Sequence, residues 1–285
     1  LLAEAWMELE HKRESTRLAR FRFSDAGACA RAIAYAALGT YPSDLMDQAG
    51  IFITTQGTII HEAWQQALVA RYGEDAEVEV TIQGEDMGGH IDAAVHTEKL
   101  IEVTSTPWVV VIEGKSVGGF RFKKAVGCPP AGRVAEGPSY NHVIQGALGA
   151  KAKDADELVV IYWTREAISV EAAARNGFDE LGRIIAEWTY DRDTYMAIAD
   201  REITRIERVL KIVDQGELPW RVIPDPELPP GHVIVRPLEG GWVQYDGDGI
   251  ALRTGSTWHC NYCKYQTLCA SHPADRVSTT EVALP

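Results

Sequence analysis

The alternation of apolar and polar positions changes character several times along the chain. In "TTQGTIIHEAWQQALVARYG", Ile60, Ala63, Trp64, Ala67 and Leu68 recur at helical spacing, and Gly73 supplies a stop. The spacing predicts a helix over 54–73. The Ala-rich stretch "ACARAIAYAAL" predicts a shorter helix over 28–38 with Cys29 near its start, and residues 1–20 read as a charged amphipathic helix. The pattern then shortens. "AEVEVTI", "GGHIDAAVH", "KLIEVTS" and "WVVVIEGKS" are β-branched or alternating and are separated by Gly, Thr or Pro, as in antiparallel strands. "SYNHVIQGALGAKA" returns to helix, and "ELVVIYWT" is the near-continuous apolar run of a buried strand. "RIIAEWTYD" fits strand or helix equally. Beyond it Ile203, Ile206, Leu210 and Val213 keep helical spacing down to "GELPW", and from Pro219 onward Pro and Gly predict a loop-rich segment. The order describes a mixed α/β domain with appendages.

Composition narrows the class. At 285 residues the chain can bury a sizeable core. Its 46% apolar and 24% charged residues are ordinary for a globular protein, and no apolar run reaches the roughly 18 residues of a membrane span. "LLAEAWMELEHKRES" is too charged for the apolar part of a signal peptide, so a cytoplasmic setting is expected. A net charge of −13 argues against coating nucleic acid by bulk attraction but permits a local basic groove. The clusters Lys12/Arg13/Arg17/Arg20/Arg22, Arg121/Lys123/Lys124 and Arg201/Arg205/Arg208/Lys211 each read first as a solvated face.

Two groups of residues carry chemistry. Asp92 lies inside one predicted strand, and Glu113 and Lys115 lie two apart at the end of another. Side chains two apart on a strand share a face, so Glu113 and Lys115 face one site that Asp92 can reach from the neighbouring strand. Paired carboxylates suit a hard cation such as Mg²⁺, and a nearby ammonium can offset charge on a phosphate. Taken alone, Glu113 and Lys115 read as readily as a surface ion pair, and Glu10-His11-Lys12 repeats the spacing without a strand before it. The second group is cysteine. Cys260, Cys263 and Cys269 form a Cys-x2-Cys-x5-Cys run that lacks a fourth thiol, for which Cys29 and Cys128 are available. Four thiolates hold an iron–sulfur cluster or Zn²⁺, and spacing alone does not separate them.

In order, the chain shows G-x-x-x-H ending at His61, G-x-I-D ending at Asp92, E-x-K at Glu113–Lys115, a helical Gln145, and the terminal cysteines. This series resembles the PD-(D/E)XK nuclease superfamily, and within it the RecB-like exonucleases that include the CRISPR-associated "Cas four" proteins and related phage exonucleases. The resemblance runs from Ser24 to Cys269. It implies a restriction-endonuclease-like core of mixed central sheet flanked by helices, with a helical appendage and a C-terminal iron–sulfur segment. It implies that His61, Asp92, Glu113 and the Gly114 carbonyl bind Mg²⁺ or Mn²⁺, that Lys115 is the catalytic lysine, and that Gln145 positions DNA or the lysine. It also implies that Cys29, Cys260, Cys263 and Cys269 hold a 4Fe-4S cluster, leaving Cys128 as an incidental loop thiol. One departure stands out: the family's Q-x-x-x-Y has Gly149 at the tyrosine position, with Tyr140 as a substitute on the preceding side.

The expectation is a single nuclease domain over 1–285. It comprises an N-terminal helical part (1–49), a catalytic core (50–165), a strand and helical appendage (166–218) and the cysteine-bearing segment (219–285). The expected activity is metal-dependent exonucleolytic hydrolysis of DNA at single strands or ends. Arg121, Lys123 and Lys124 would grip the backbone and an exposed Tyr140 would stack bases. The alternatives are an endonuclease or trimming component working with CRISPR-adaptation or recombination proteins, a non-catalytic DNA-binding subunit, and an electron-transfer protein. The last leaves the carboxylate–lysine set unexplained.

Overall fold

A computed structural model describes residues 19–101, 104–129, 131, 134–219, 233–235, 243–245, 251–254, 263–272 and 277–279. In chain order they form β1 (Phe21–Arg22), α1 (Ala30–Ala37), α2 (Gln48–Tyr72), β2 (Ala76–Ile82), β3 (Met87–Ile101), β4 (Thr104–Val117), α3 (Gly119–Val126) and α4 (Tyr140–Ala152). There follow β5 (Glu157–Thr164), α5 (Val170–Asn176), β6 (Ile185–Asp191), α6 (Arg192–Asp214) and β7 (Glu217–Leu218). Last come β8 (Val233–Val235), β9 (Val243–Tyr245), β10 (Ala251–Thr254), α7 (Gln266–Ser271) and β11 (Val277–Ser278). No described helix is long and apolar enough to cross a membrane. Residues 1–18, expected to be helical, and Cys260 lie outside the described residues.

The chain divides into two compact units. One comprises residues up to Ile51, Gly84–Gly88 and those from Asp200; the other comprises Phe52–Gln83 and Gly89–Ala199. The second unit is a mixed central sheet flanked by helices. Its strands run β2-β3-β4-β5-β6, antiparallel except for the parallel pair β4–β5. A parallel pair needs a crossover, and α3 and α4 supply it. Ala93, Val95 and Ile112 form a buried cluster against Trp64 and Leu68 of α2, with Val78, Val110, Val159 and Ile161. Val143, Ile144, Gly146, Ala147, Leu148, Gly149 and Ala150 of α4 are buried, and these small residues allow a close approach.

Several sequence expectations change. Helix α2 starts upstream of residue 54 because the Asp47 carboxylate accepts the Gly50 N–H at 2.7 Å, satisfying a first-turn donor. It ends at Gly73, whose φ of 59° a glycine adopts without strain. "KLIEVTS" is not a separate strand. Its first residues complete β3 and its last begin β4, with Leu100 opposite Ser105 and Ile101 opposite Thr104, because alternation continues on both sides without a break. Pro107 is tolerated within β4 because β5 pairs only from Val110 onward, so the missing N–H faces no neighbour in that ladder. "RIIAEWTYD" resolves as strand because it has a partner: β6 pairs with β5 from Glu157↔Asp191 to Trp163↔Ile185.

In the first unit, β8, β9 and β10 form a three-stranded antiparallel sheet where loop was expected. Arg205 does not belong to a solvated face. It is buried and paired with Glu202; its guanidinium donates to the Ala28 carbonyl at 3.1 Å, and Glu202 accepts the Gly27 N–H at 2.9 Å. This network fixes the turn that presents Cys29 at the N-cap of α1. Helix α1 also contacts the segment around α7: Tyr35 and Tyr265 rings lie 5.3 Å apart, and the Tyr35 hydroxyl and His272 Nδ1 are 2.8 Å apart. Asp44 accepts the backbone N–H and hydroxyl of Thr267 at 2.8 and 2.6 Å.

Candidate active site

All of the predicted oxygen and imidazole ligands lie in the second unit, where β3 and β4 separate. The ladder holds Ala93 opposite Ile112, so the next residues on each strand are Asp92 and Glu113. Both are buried. The Asp92 Oδ2 accepts the Gly114 N–H at 2.9 Å, which ties the two strands together at the residue between Glu113 and Lys115. Lys115 Nζ forms an ion pair with Glu113 Oε1. Alternation in β4 places both on the face covered by α4, where a Cβ at Gly146 would come within 3.0 Å of the Glu113 Cβ.

Gly114 points the other way. A Cβ there would lie 2.6 Å from Trp163 and 2.9 Å from Trp64, whose rings stack with centroids 5.1 Å apart. Only glycine lets the strand run this close to the indoles. Helix α2 brings Trp64 on the same face as His61 and Leu68, at the i, i+3, i+7 spacing of a buried stripe. His61 Nε2 therefore meets the Gly114 carbonyl at 2.7 Å and lies 3.7 Å from Asp92 Oδ2. A carbonyl only accepts, so this contact selects the Nε2–H tautomer. Offering Nε2 to a cation requires the proton to sit on Nδ1 instead.

The charges at this point do not balance. Burial and the neighbouring Asp92 charge push the Glu113 carboxyl up to about 8, against the opposing pull of Lys115. Burial acts to lower the Lys115 pKa, but the charges of Glu113 and Asp92 outweigh it and the ammonium is held above its usual value. Two buried carboxylates share one ammonium, and an oxygen-seeking divalent cation would offset the surplus negative charge. The donors fit such an ion. Among the described residues, His61, Glu79 and Asp92 each offer a ligand atom within 4.8 Å of the others.

Glu79, Gln65, Tyr162 and His142 were not singled out from the sequence. Gln65 of α2 is buried, and its amide donates to Glu79 Oε1 at 2.7 Å and to the Asp92 carbonyl at 2.8 Å. Its place four residues after His61 is the one signal the sequence carried. Tyr162 stands opposite Lys115 in the β4–β5 ladder. Its hydroxyl accepts the Ser139 N–H at 2.6 Å and lies 2.7 Å from His142 Nδ1. Burial, with the Lys115 and Arg121 charges, drives His142 down to about 3, so its imidazole is neutral.

The remaining predicted residues are dispersed. Gln145 lies on α4, one residue before the Gly146 contact with Glu113, and is half-buried. At the missing tyrosine position, a Cβ on Gly149 would lie 3.1 Å from Ile91. Tyr140, expected to be exposed, is half-buried at the start of α4. Arg121 and Lys124 lie on α3 and both pair with Glu136 at 3.1 Å, while Lys123 sits between them on the helix. Cys128 is fully buried, with its thiol 3.6 Å from the Pro129 carbonyl. Cys29, Cys263 and Cys269 belong to the first unit, and none of them is in a disulfide.

No protein-family model matches the chain. None of the curated proteins matches it either. Among solved structures, it is similar to the crystal structure of SSO0001 over 96% of this chain and 98% of that one, with 14% identity and a TM-score of 0.47. It is similar to an alkaline exonuclease (LHK-Exo) from Laribacter hongkongensis over 57% of this chain and 71% of that one, with 11% identity and a TM-score of 0.37. A phage-related exonuclease from Haemophilus somnus 129PT is similar over 65% of this chain and 79% of its own, with 15% identity and a TM-score of 0.39.

Proposed function

We propose that this protein is a metal-dependent deoxyribonuclease that hydrolyses phosphodiester bonds and acts as an exonuclease on single strands or DNA ends. The observation that carries the reading is the meeting of Asp92, Glu113 and Lys115 around the Gly114 amide, with His61 against its carbonyl. His61, Asp92, Glu113 and the Gly114 carbonyl would hold Mg²⁺ or Mn²⁺. A bound ion of this kind polarises a phosphoryl oxygen and makes hydroxide available at neutral pH.

The protein's own groups divide the remaining work. Lys115, held as an ammonium, is suited to stabilise the charge that develops on phosphate and is poorly suited to act as a base. Asp92 fixes the Gly114 amide, and His61 meets the carbonyl of the following peptide. The indole pair keeps that peptide in place. Gln145 would orient the lysine or the substrate, and Arg121, Lys123, Lys124 and Tyr140 would meet the DNA beyond it.

In the first unit, Cys29, Cys260, Cys263 and Cys269 would hold a 4Fe-4S cluster as a clasp between the N-terminal helix and the C-terminal segment. The contacts of α1 with the α7 segment support this, since they bring the two cysteine-bearing stretches to one another. The test of function is Mn²⁺- or Mg²⁺-dependent degradation of end-labelled single-stranded DNA. Loss of that activity in Lys115→Ala and Asp92→Ala is expected. Activity that survives both substitutions rules this site out.

A further inference from the structure

We propose that Glu79 is a further ligand of the cation at this site, alongside His61 and Asp92; this rests on the nuclease reading. Strand β2 pairs with β3 in the same register on either side of this point, Val78↔Ala93 and Val80↔Ile91, and the ladder is interrupted at Glu79 and Asp92, which fall between those pairs. Its backbone takes φ 51°, the left-handed region, in the middle of a seven-residue strand. A non-glycine residue adopts this conformation at a cost and persists in it only where its surroundings enforce it.

The enforcement is visible. One buried amide, that of Gln65, binds Glu79 Oε1 at 2.7 Å and the Asp92 carbonyl at 2.8 Å, so the two acidic residues are held to a single clamp. A carboxylate has a second oxygen to offer, and Glu79 is exposed. One ligand atom each from His61, Glu79 and Asp92 lies within 4.8 Å of the others, so Glu79 adds a donor beside those already assigned to the ion. Glu79 also adds to the negative charge felt at Glu113. A structural role for Glu79 would need only its hydrogen bond to Gln65, which a neutral acceptor keeps.

The test is a titration of the intact, metal-free protein with Mn²⁺, in which free Mn²⁺ is read by its electron paramagnetic resonance signal. Glu79→Gln retains an acceptor for Gln65 and is expected to weaken Mn²⁺ binding by about tenfold or more, with the metal-free melting temperature unchanged. Glu79→Gly, which removes the carboxylate altogether, should weaken it similarly. Wild-type Mn²⁺ affinity in both folded variants overturns the proposal. Asp92→Asn separates the two readings. If it loses Mn²⁺ while Glu79→Gln keeps it, only the role of Glu79 falls. If Asp92→Asn binds as wild type, the cation site and the nuclease reading fall with it.

Discussion

Lys115 and Glu113 occupy neighbouring positions on one face of a strand, yet the environment treats them differently. Burial and Asp92 raise the carboxyl, while the two carboxylates keep the amine protonated. Lys115→Ala should therefore lower the turnover of a DNA substrate by two or three orders of magnitude with little change in substrate affinity, measured by single-turnover degradation. His142 gives a pH signature. Its folded pKa is depressed to about 3 from an ordinary 6.5, so the unfolded chain binds the proton first. Stability should be lost as pH falls through the window from about 6.5 to about 3. The urea midpoint of His142→Gln should fall less between pH 7 and pH 4 than that of the wild type, and equal losses would contradict a buried neutral imidazole. Glu113 and Lys115 were legible in the sequence because charges at the end of an apolar β-run violate the local pattern, and Asp92 because it is an acid inside a neighbouring predicted strand. Glu79 was not, because a glutamate alternating with valines reads as an ordinary solvent-facing position. A positive φ leaves no mark in the letters.

At the level of elements, the site depends on how closely α2 and α4 approach β4, and glycines set both distances. Gly114→Ala would drive a methyl into the Trp64–Trp163 stack, where the obstructing atoms are rigid ring carbons. The expected cost is about 1–3 kcal/mol in stability by urea unfolding, with cleavage lost because the carbonyl shifts away from His61. Most of these elements follow from periodicity. Helix α4 and strand β5 agree with the stretches singled out from sequence, since one is bounded by Ser139 and the other is a near-continuous apolar run. The β3–β4 hairpin and β6 required knowledge of partners. Register is a property of two segments, and a single stretch such as "RIIAEWTYD" carries only half of it. The Gly149 departure also has a local reason: its missing side chain leaves room for Ile91.

For the molecule as a whole, an acidic balance of −13 is compatible with the proposed anionic substrate because the groups that could hold a cation, His61, Glu79 and Asp92, lie together. The proposed cluster would be a separate matter of folding. Protein purified without oxygen should be brown with a broad visible shoulder, and Cys29→Ser should reduce soluble yield and melting temperature before it alters the rate per folded molecule. A colourless, zinc-loaded protein would overturn the iron–sulfur assignment. The central claim, that a divalent ion held by Asp92 and its neighbours cuts DNA, is tested most directly by following end-labelled single-stranded DNA with Mn²⁺ present and then chelated, in wild type and Asp92→Asn. The account predicts release of label only from the wild type and only with the ion. Equal release by Asp92→Asn, or release that persists after chelation, would contradict it.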